Sequence, residues 1–231
     1  MVERSRAECR RSATARAESI APDSPRHRMP QISRSQFERV PLRVHDFLAG
    51  VPLHNAWTVD LPRVRPGITL VEFLRAAGAF PFEPSPIVRA LLRIRFAIGR
   101  ALGWDRERDE TATDTFAARL TRADLAQSLA PAGRREGLFR IVYRFENEQL
   151  VEVINRTVHG AALNALIETP DVYRFYFAVY VRSVGRLTPV YMAMIDPFRK
   201  WIIYPSLLRS VQSAWRRLSA RPASASSAAP A

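Results

Sequence analysis

Three things are scarce in this chain, and each scarcity removes a class of protein. Cys9 is the single cysteine among 231 residues, which excludes an internal disulfide framework and a cysteine-rich zinc site. The four histidines form no pair of the HExxH kind, so we expect no bound metal. The longest run without an acidic or basic side chain is 13 residues, from 47 to 59. A membrane-spanning helix needs about 20 apolar residues, so none is predicted.

The charge of the chain is strongly positive but unevenly spread. Lys and Arg number 35 against 22 Asp and Glu, which is a formal net charge of +13. Residues 186–218 carry six basic side chains against Asp196 alone. Lys200 is the only lysine, which indicates a codon bias toward arginine rather than a binding surface. Because the central part is nearly balanced and no nucleic-acid-binding motif is present, we expect no nucleic-acid partner.

The two ends differ in composition from the centre. Residues 1–35 are rich in Arg, Ala and Ser without a hydrophobic period, which predicts a disordered tail. Translation from Met29 is an alternative explanation of this segment. Residues 219–231 have the composition of a low-complexity tail. We therefore expect one folded domain over residues 36–218. The absence of an apolar signal segment and the single cysteine predict a cytoplasmic protein.

Two short patterns open the domain. Trp57, Val59 and Leu61 alternate with polar residues, which predicts a strand. The segment GITLVEFLRAAG predicts a short helix that Thr69 caps and Gly78 ends.

A longer helix is predicted from 85 to 104, because its apolar and basic residues separate onto two faces. The basic face holds Arg89, Arg93 and Arg100. The face expected to meet the core holds Ile87, Leu91, Ile94, Ile98 and Leu102.

The region from 137 to 183 is typical of antiparallel strands. In LFRIVYRFENEQLVEVIN, apolar residues alternate with arginines, so we expect one face to hold Phe139, Ile141, Tyr143 and Phe145. The acidic residues that follow fit a solvated hairpin turn; they are Glu146, Glu148 and Glu152. TVHGAALNALIE favours a strand over a helix. VYRFYFAVYVRS is a strand rich in aromatic residues, and its arginines predict that the inward face holds Tyr173, Phe175, Phe177, Val179 and Val181.

The last segment, from 187 to 218, has apolar residues every three or four positions, which predicts a long helix. Pro197 and Pro205 each remove a backbone donor, so we expect a kink or a break there. The order of elements predicts an α+β fold. Its curved antiparallel sheet is packed on the long C-terminal helix, with two or more helices inserted after the first strand.

The chain resembles a known family over roughly residues 45–208. GRLTPVYMAMIDPFRKWIIYPSLL follows an aromatic strand and the earlier HNAWTVDLP. The matches to the motif of the family named domain of unknown function 2867 are Gly185, Arg186, Tyr191, Pro197 and Phe198. Two departures are three extra residues before the Val-Tyr pair, and Arg199 where members often have His. This family is similar to the helix-grip superfamily of START-like and polyketide-cyclase-like domains. The similarity implies a sheet wrapped around the C-terminal helix, with an apolar cavity for a ligand.

Eight residues are candidates for lining such a cavity, because they are aromatic or polar side chains in the predicted strands and helix. They are Trp57, Tyr143, Asn155, His159, Phe175, Phe177, Tyr191 and Trp201. Without an intervening turn, His159 and Asn155 share a face with Val151 and Val153, which would place polar groups in an apolar pocket. A core position for each aromatic residue and a structural role for His159 remain open.

The chain contains no GxSxG, GxGxxG or Walker motif and no paired catalytic carboxylates, so no catalytic residue and no cofactor is predicted. Three functions stay open. The first is binding of a small hydrophobic ligand without covalent chemistry, as the resemblance implies. The second is a cyclase, hydratase or isomerase that uses His159 with a Tyr. The third is a peripheral membrane or protein-interaction module whose basic C-terminal helix contacts anionic lipids through Arg209, Arg216 and Arg217.

Overall fold

Six strands form one antiparallel sheet, and helices precede, interrupt and follow it. The computed structural model describes residues 30–78, 86–101, 115–154, 158–184, 192–193 and 196–220. The helices are α1 (Arg34–Glu38), α2 (Val44–Phe47), α3 (Leu70–Ala77), α4 (Pro86–Ala101), α5 (Arg122–Gln127) and α6 (Tyr204–Ser219). The strands are β1 (Leu53–Pro62), β2 (Arg135–Glu136), β3 (Phe139–Arg144), β4 (Glu148–Ile154), β5 (His159–Glu168) and β6 (Val172–Arg182). Most of the two predicted tails lies outside the described residues.

The strands follow the order β1-β6-β5-β4-β3-β2, and every neighbouring pair is antiparallel. The first and last strands are therefore neighbours, with Trp57 opposite Phe177 and Val59 opposite Phe175. Helices α3 and α4 follow β1, and α6 follows β6. The predicted α+β fold, with an antiparallel sheet and a C-terminal helix, is confirmed.

Both faces of the sheet are buried, whereas the sequence predicted one. We call the face against α3 and α6 the helix side; it includes Val59 and Phe175. We call the opposite face, under the segment of α1 and α2, the N-terminal side; it includes Tyr176 and Tyr180. The arginines of β6 misled the prediction because they mark the ends of the strand. Arg174, for example, donates through Nε to Asp60 Oδ1 at 2.6 Å, at the far end of β1.

The helix side is closed by α3 and α6 together. Thr69 caps α3 by accepting from the backbone N–H of Glu72 at 3.2 Å, and α3 ends before Gly78, whose φ is 87°; both ends are as predicted. Trp215 of α6 packs on Phe73 with 5.9 Å between ring centroids. Its Nε1 also donates to the carbonyl of Pro62 at 3.0 Å. One aromatic side chain thus ties α6 to α3 and to the end of β1.

Two carboxylates predicted to lie in a solvated turn are buried on the N-terminal side. Glu148, 2% exposed, accepts hydrogen bonds from the backbone N–H groups of Arg43 at 2.8 Å and Val44 at 2.9 Å, and from the Tyr143 hydroxyl. Glu152, 1% exposed, accepts from the backbone N–H of Phe116 at 2.8 Å. The prediction was wrong for these two residues because backbone donors compensate the burial of each charge.

A register shift in β3 separates residues that were predicted to share a face. The pairing with β4 shifts between Ile141 and Tyr143. Such an irregularity reverses the side to which the following residues point. Ile141 consequently packs on the helix side near Val151, and Tyr143 packs on the N-terminal side with Leu150.

The C-terminal helix, predicted as one long helix, contains a π-helical turn. Helix α6 begins at Tyr204, and residues Arg199–Ile203 form a π-helical turn before it. Pro205 has no N–H to donate to the carbonyl of Trp201, so regular α-helical bonding is interrupted there. The kink or break expected at Pro205 takes the form of this π-helical turn. The apolar stripe is not continuous, because Phe198 is 48% and Trp201 81% exposed.

Helix α4 carries its arginines on the surface, as predicted: Arg89, Arg93 and Arg100 are exposed. Ile94 was predicted to face the core and is 57% exposed, so that assignment is wrong. The predicted ends of this helix, at 85 and 103, lie outside the described residues. None of the helices in the part of the chain that the structure describes is long and apolar enough to cross a membrane.

Candidate ligand groove

A groove of about 660 Å³ opens on the helix side between α3 and the hairpin of β2 and β3. This volume lies within the range of about 300–1,000 Å³ that is usual for small-molecule sites. The lining residues are Val71, Leu74, Arg75, Gly78, Leu129, Arg134, Glu136, Gly137 and Arg144. The lining includes both apolar side chains and three arginines, so the groove offers both hydrophobic contact and positive charge.

Arg144, at the end of β3, is held in the groove wall from several directions. Its Nε donates to Gln149 Oε1 at 2.6 Å, and its Nη2 donates to Glu136 Oε2 at 2.7 Å. Its backbone N–H donates to Ser128 Oγ at 3.1 Å. The side chain is 18% exposed. Glu136 balances the charge of the guanidinium, and the two side-chain hydrogen bonds fix its position.

Two other arginines of the groove are free of such partners. Arg75 lies in the last turn of α3 and Arg134 in the loop before β2. Among the described residues, neither side chain forms an ion pair, and Glu136, the one carboxylate of the lining, is bound to Arg144. Both side chains are exposed to solvent, so the groove presents on two walls a positive charge that no carboxylate among the described residues balances.

Behind Arg144, polar side chains continue across an otherwise apolar sheet. Gln149 of β4 lies opposite Asn164 of β5, and both are 0% exposed. Nε2 of Gln149 and both polar atoms of the Asn164 amide have no hydrogen-bond partner in the described part of the chain. Buried polar groups are bonded in the great majority of cases. Unpaired buried amides beside a groove are therefore expected where a water or a ligand supplies the missing partner.

Aromatic residues continue this row beyond Asn164. Phe177 lies opposite Asn164, and Trp57 lies opposite Phe177. Tyr204, the first residue of α6, covers both, with its ring centroid 4.1 Å from that of Trp57 and 6.4 Å from that of Phe177. Burial raises the pKa of the Tyr204 hydroxyl. The row thus runs from a charged end in the groove to an aromatic end under α6.

The chain can be compared with known proteins at this point. The model of a family described as "Protein of unknown function (DUF2867)" matches residues 47–206, more than half of the chain. The chain belongs to this family. The DUF2867 match includes α3, the whole sheet and every residue that lines the groove, whereas α1, α2 up to Asp46 and most of α6 lie outside it. No curated protein and no solved structure matches the chain.

The six lining candidates that the structure describes do not come together in this DUF2867 domain. Trp57, Phe175 and Phe177 lie on the helix side, where Phe175 packs on Phe73 with centroids 5.6 Å apart. Trp201 is 81% exposed and does not line the groove. The remaining positions on the helix or turn, Asn155 and Tyr191, lie outside the described residues.

Tyr143 and His159 lie on the N-terminal side, away from the groove. The Tyr143 hydroxyl donates to Glu148, and burial, followed by the charge of Glu148, raises the pKa of Tyr143 well above its usual value. His159 Nε2 lies 3.0 Å from Glu152 Oε2, and the ring packs on Phe116 at 4.0 Å between centroids. β4 and β5 pair with Ile154 opposite His159, so His159 does not share the face of Val151 and Val153.

Sequence reasoning missed Arg144, which lines the DUF2867 groove, and the amides of Gln149 and Asn164, which follow Arg144 on the next two strands. One signal was available: Asn164 interrupts the apolar run GAALNALI, and Gln149 precedes the apolar LVEV. A lone polar residue in a buried strand indicates either a hydrogen-bond partner or a site. Among the described residues, no three or more His, Cys, Asp or Glu side chains lie close enough together to hold a metal ion.

Proposed function

We propose that this chain is a small-molecule-binding domain of the helix-grip type, which holds its ligand in the groove without covalent chemistry. One observation carries the proposal: a groove of about 660 Å³ is lined by Arg144, and behind Arg144 lie the buried amides of Gln149 and Asn164, of which Nε2 of Gln149 and both polar atoms of Asn164 lack partners among the described residues. Such a combination of apolar walls with a few convergent polar groups is the usual design of a ligand site. The antiparallel sheet packed on a C-terminal helix supports the helix-grip assignment.

Filling the groove tests this function. Leu74 lines the groove and is half-buried, so Leu74→Trp reduces the available volume. Val64→Trp is the matched control, because Val64 is 48% exposed and does not line the groove. Native mass spectrometry of the purified full chain, followed by thermal-shift measurements with a panel of lipids and polyketides, reports binding. We expect binding to be lost in Leu74→Trp and kept in the control; equal binding by both variants contradicts the proposal.

The enzymatic alternative, a cyclase, hydratase or isomerase that uses His159 with a Tyr, gains no support from the position of His159. Its Nε2 is occupied by Glu152 on the N-terminal side of the sheet, while the groove lies on the helix side. We therefore keep binding, and not catalysis, as the proposed function.

A second candidate function is contact with an anionic membrane surface through the turn before α6. Trp201 is 81% exposed and Phe198 48% exposed, and they flank Lys200. Exposed aromatic residues beside basic side chains are typical of interfacial contact with anionic lipids. Arg209 and Arg216 are exposed on α6. Arg217 instead donates from Nε to the carbonyl of Ala76 at 3.3 Å and from Nη1 to Ser213 Oγ at 3.0 Å.

Co-sedimentation with vesicles tests this second candidate. We expect the chain to bind vesicles that contain phosphatidylserine more strongly than neutral ones, and Trp201→Ala to weaken that binding. Leu138→Ala is the control, since Leu138 is 55% exposed on a different turn. Equal weakening by both variants, or equal binding to both kinds of vesicle, excludes the turn as a membrane contact.

A further inference from the structure

The charge balance of the groove identifies the kind of ligand that it accepts; this step rests on the proposed function. Arg144 is already bound to Glu136 and Gln149, so its charge is compensated by the protein. Arg75 and Arg134 have no ion-pair partner among the described residues. Both line the same groove, one on the wall of α3 and the other before β2. A neutral ligand would leave both of these charges uncompensated.

The guanidinium groups of Arg75 and Arg134 suit a ligand that carries a carboxylate or phosphate group. Arginine presents planar N–H donors that match the oxygens of carboxylate and phosphate groups. Hydrogen bonds between ionised partners are shorter and roughly twice as strong as neutral ones. An anionic oxygen group placed between Arg75 and Arg134 would compensate both arginines. A cationic ligand is disfavoured, because three arginines line the groove and its one carboxylate, Glu136, is paired with Arg144.

The rest of the lining defines the body of the ligand. Val71 and Leu74 on α3 and Leu129 on the facing loop supply apolar walls. We propose that the groove binds an amphipathic anion: a molecule with a carboxylate or phosphate group held by Arg75 and Arg134 and a hydrocarbon body that lies against these walls. The two anionic groups share the same recognition chemistry, and the experiment separates them.

Four probes of one chain length test this inference: decanoate, decyl phosphate, decanol and decylamine. Binding to the full chain is measured by isothermal titration calorimetry at low salt and below the concentration at which each probe forms micelles. We expect at least one of the two anions to bind about tenfold or more tightly than decanol, because charged hydrogen bonds exceed neutral ones by that margin. We expect decylamine to bind least. The stronger of the two anions identifies the natural head group as carboxylate or phosphate.

Arginine variants then locate the anion. Arg75→Ala and Arg134→Ala are each expected to weaken binding of the preferred anion about tenfold, and to leave the affinity for decanol unchanged. Arg75→Lys, which keeps the charge, is expected to retain part of the affinity. Arg39→Ala is the control, since Arg39 is exposed just after α1, on the opposite side of the sheet.

The outcomes separate the two proposals. If decanol binds as tightly as both anions, or if the arginine variants act no more strongly than Arg39→Ala, the inference of an anionic ligand is wrong while the groove remains a binding site. A variant that weakens decanol and the anion equally also overturns it, because the arginine then acts on the shape of the groove. If none of the four probes binds, the inference fails; the Leu74→Trp experiment separately decides whether the groove binds any ligand.

Discussion

Asn164 gives the sharpest prediction, because its side chain is buried without partners. Its amide is 0% exposed, and neither Oδ1 nor Nδ2 has a hydrogen-bond partner among the described residues. On the helix side it lies between Gln149 of β4 and Phe177 of β6. In the ligand-free chain such an amide lowers the free energy of unfolding, so Asn164→Leu, which keeps the branching of the side chain and removes both polar atoms, should stabilise the chain.

The size of the effect follows from the two unpaired atoms. A buried polar group without a partner costs about 1–3 kcal/mol, and burial of an apolar side chain in its place adds to the gain. We expect Asn164→Leu to raise the free energy of unfolding by about 2 kcal/mol or more. For a chain of this length, about 2–4 °C in Tm corresponds to each kcal/mol. The expected increase in Tm is therefore roughly 4–8 °C.

Gln149→Leu is the matched control. Gln149 is equally buried, but its Oε1 accepts from Arg144 Nε at 2.6 Å, so the substitution also leaves a guanidinium donor unpaired. The gain from removing Nε2 is offset, and we expect no net stabilisation. Urea denaturation followed by circular dichroism measures both variants. A loss of more than about 1 kcal/mol in Asn164→Leu would refute the reasoning, because losses of that size come from breaking a hydrogen bond that Asn164 makes.

Two further predictions concern the buried carboxylates of the N-terminal side. Glu148→Gln replaces one carboxylate oxygen with an NH₂ group, which must face the backbone donor of either Arg43 or Val44, so urea denaturation should show a loss of about 2–4 kcal/mol. Tyr143→Phe, which removes one donor, should cost about 1 kcal/mol; equal losses contradict this. Hydrogen bonds from Arg43 lower the pKa of Asp124 well below its usual range, so its contribution to stability is present above about pH 4 and is lost as the pH falls through the folded pKa. Asp124→Asn should therefore be destabilised relative to the unmodified chain at pH 7 and differ less from it at pH 2; a constant difference across this range disproves the linkage.

Local sequence patterns predicted the helices and strands, but pairing between distant segments decided which face of the sheet each side chain lies on. The alternation of Trp57, Val59 and Leu61 was sufficient for β1, since residues two apart share a face of any strand. The same rule failed in β3, where the shift between Ile141 and Tyr143 exists only in the pairing with β4. The sequence of β3 alone carries no signal for it.

The candidate site was beyond prediction for a related reason. Arg144, Gln149 and Asn164 stand on three strands, and their meeting depends on the register of β3, β4 and β5. Arg75 and Arg134 reach the same groove from α3 and from a loop 59 positions later in the numbering. The aromatic lining was overestimated, because the inward aromatic residues of β6 pack on α3 and on Tyr204 rather than on a ligand space.

The way in which α3 is held has a mechanical consequence. The backbone N–H of its first residue, Leu70, donates to the carbonyl of Glu146 at 2.7 Å. The rest of α3 contacts α6: Trp215 packs on Phe73, and Arg217 donates to the carbonyl of Ala76 near the end of the helix. Helix α3, which forms one wall of the groove, is therefore attached at one end to the β3–β4 turn and at the other to the C-terminal helix. Because α6 contacts the end of α3 that carries Arg75, a displacement of α6 would move that end and change the width of the groove there.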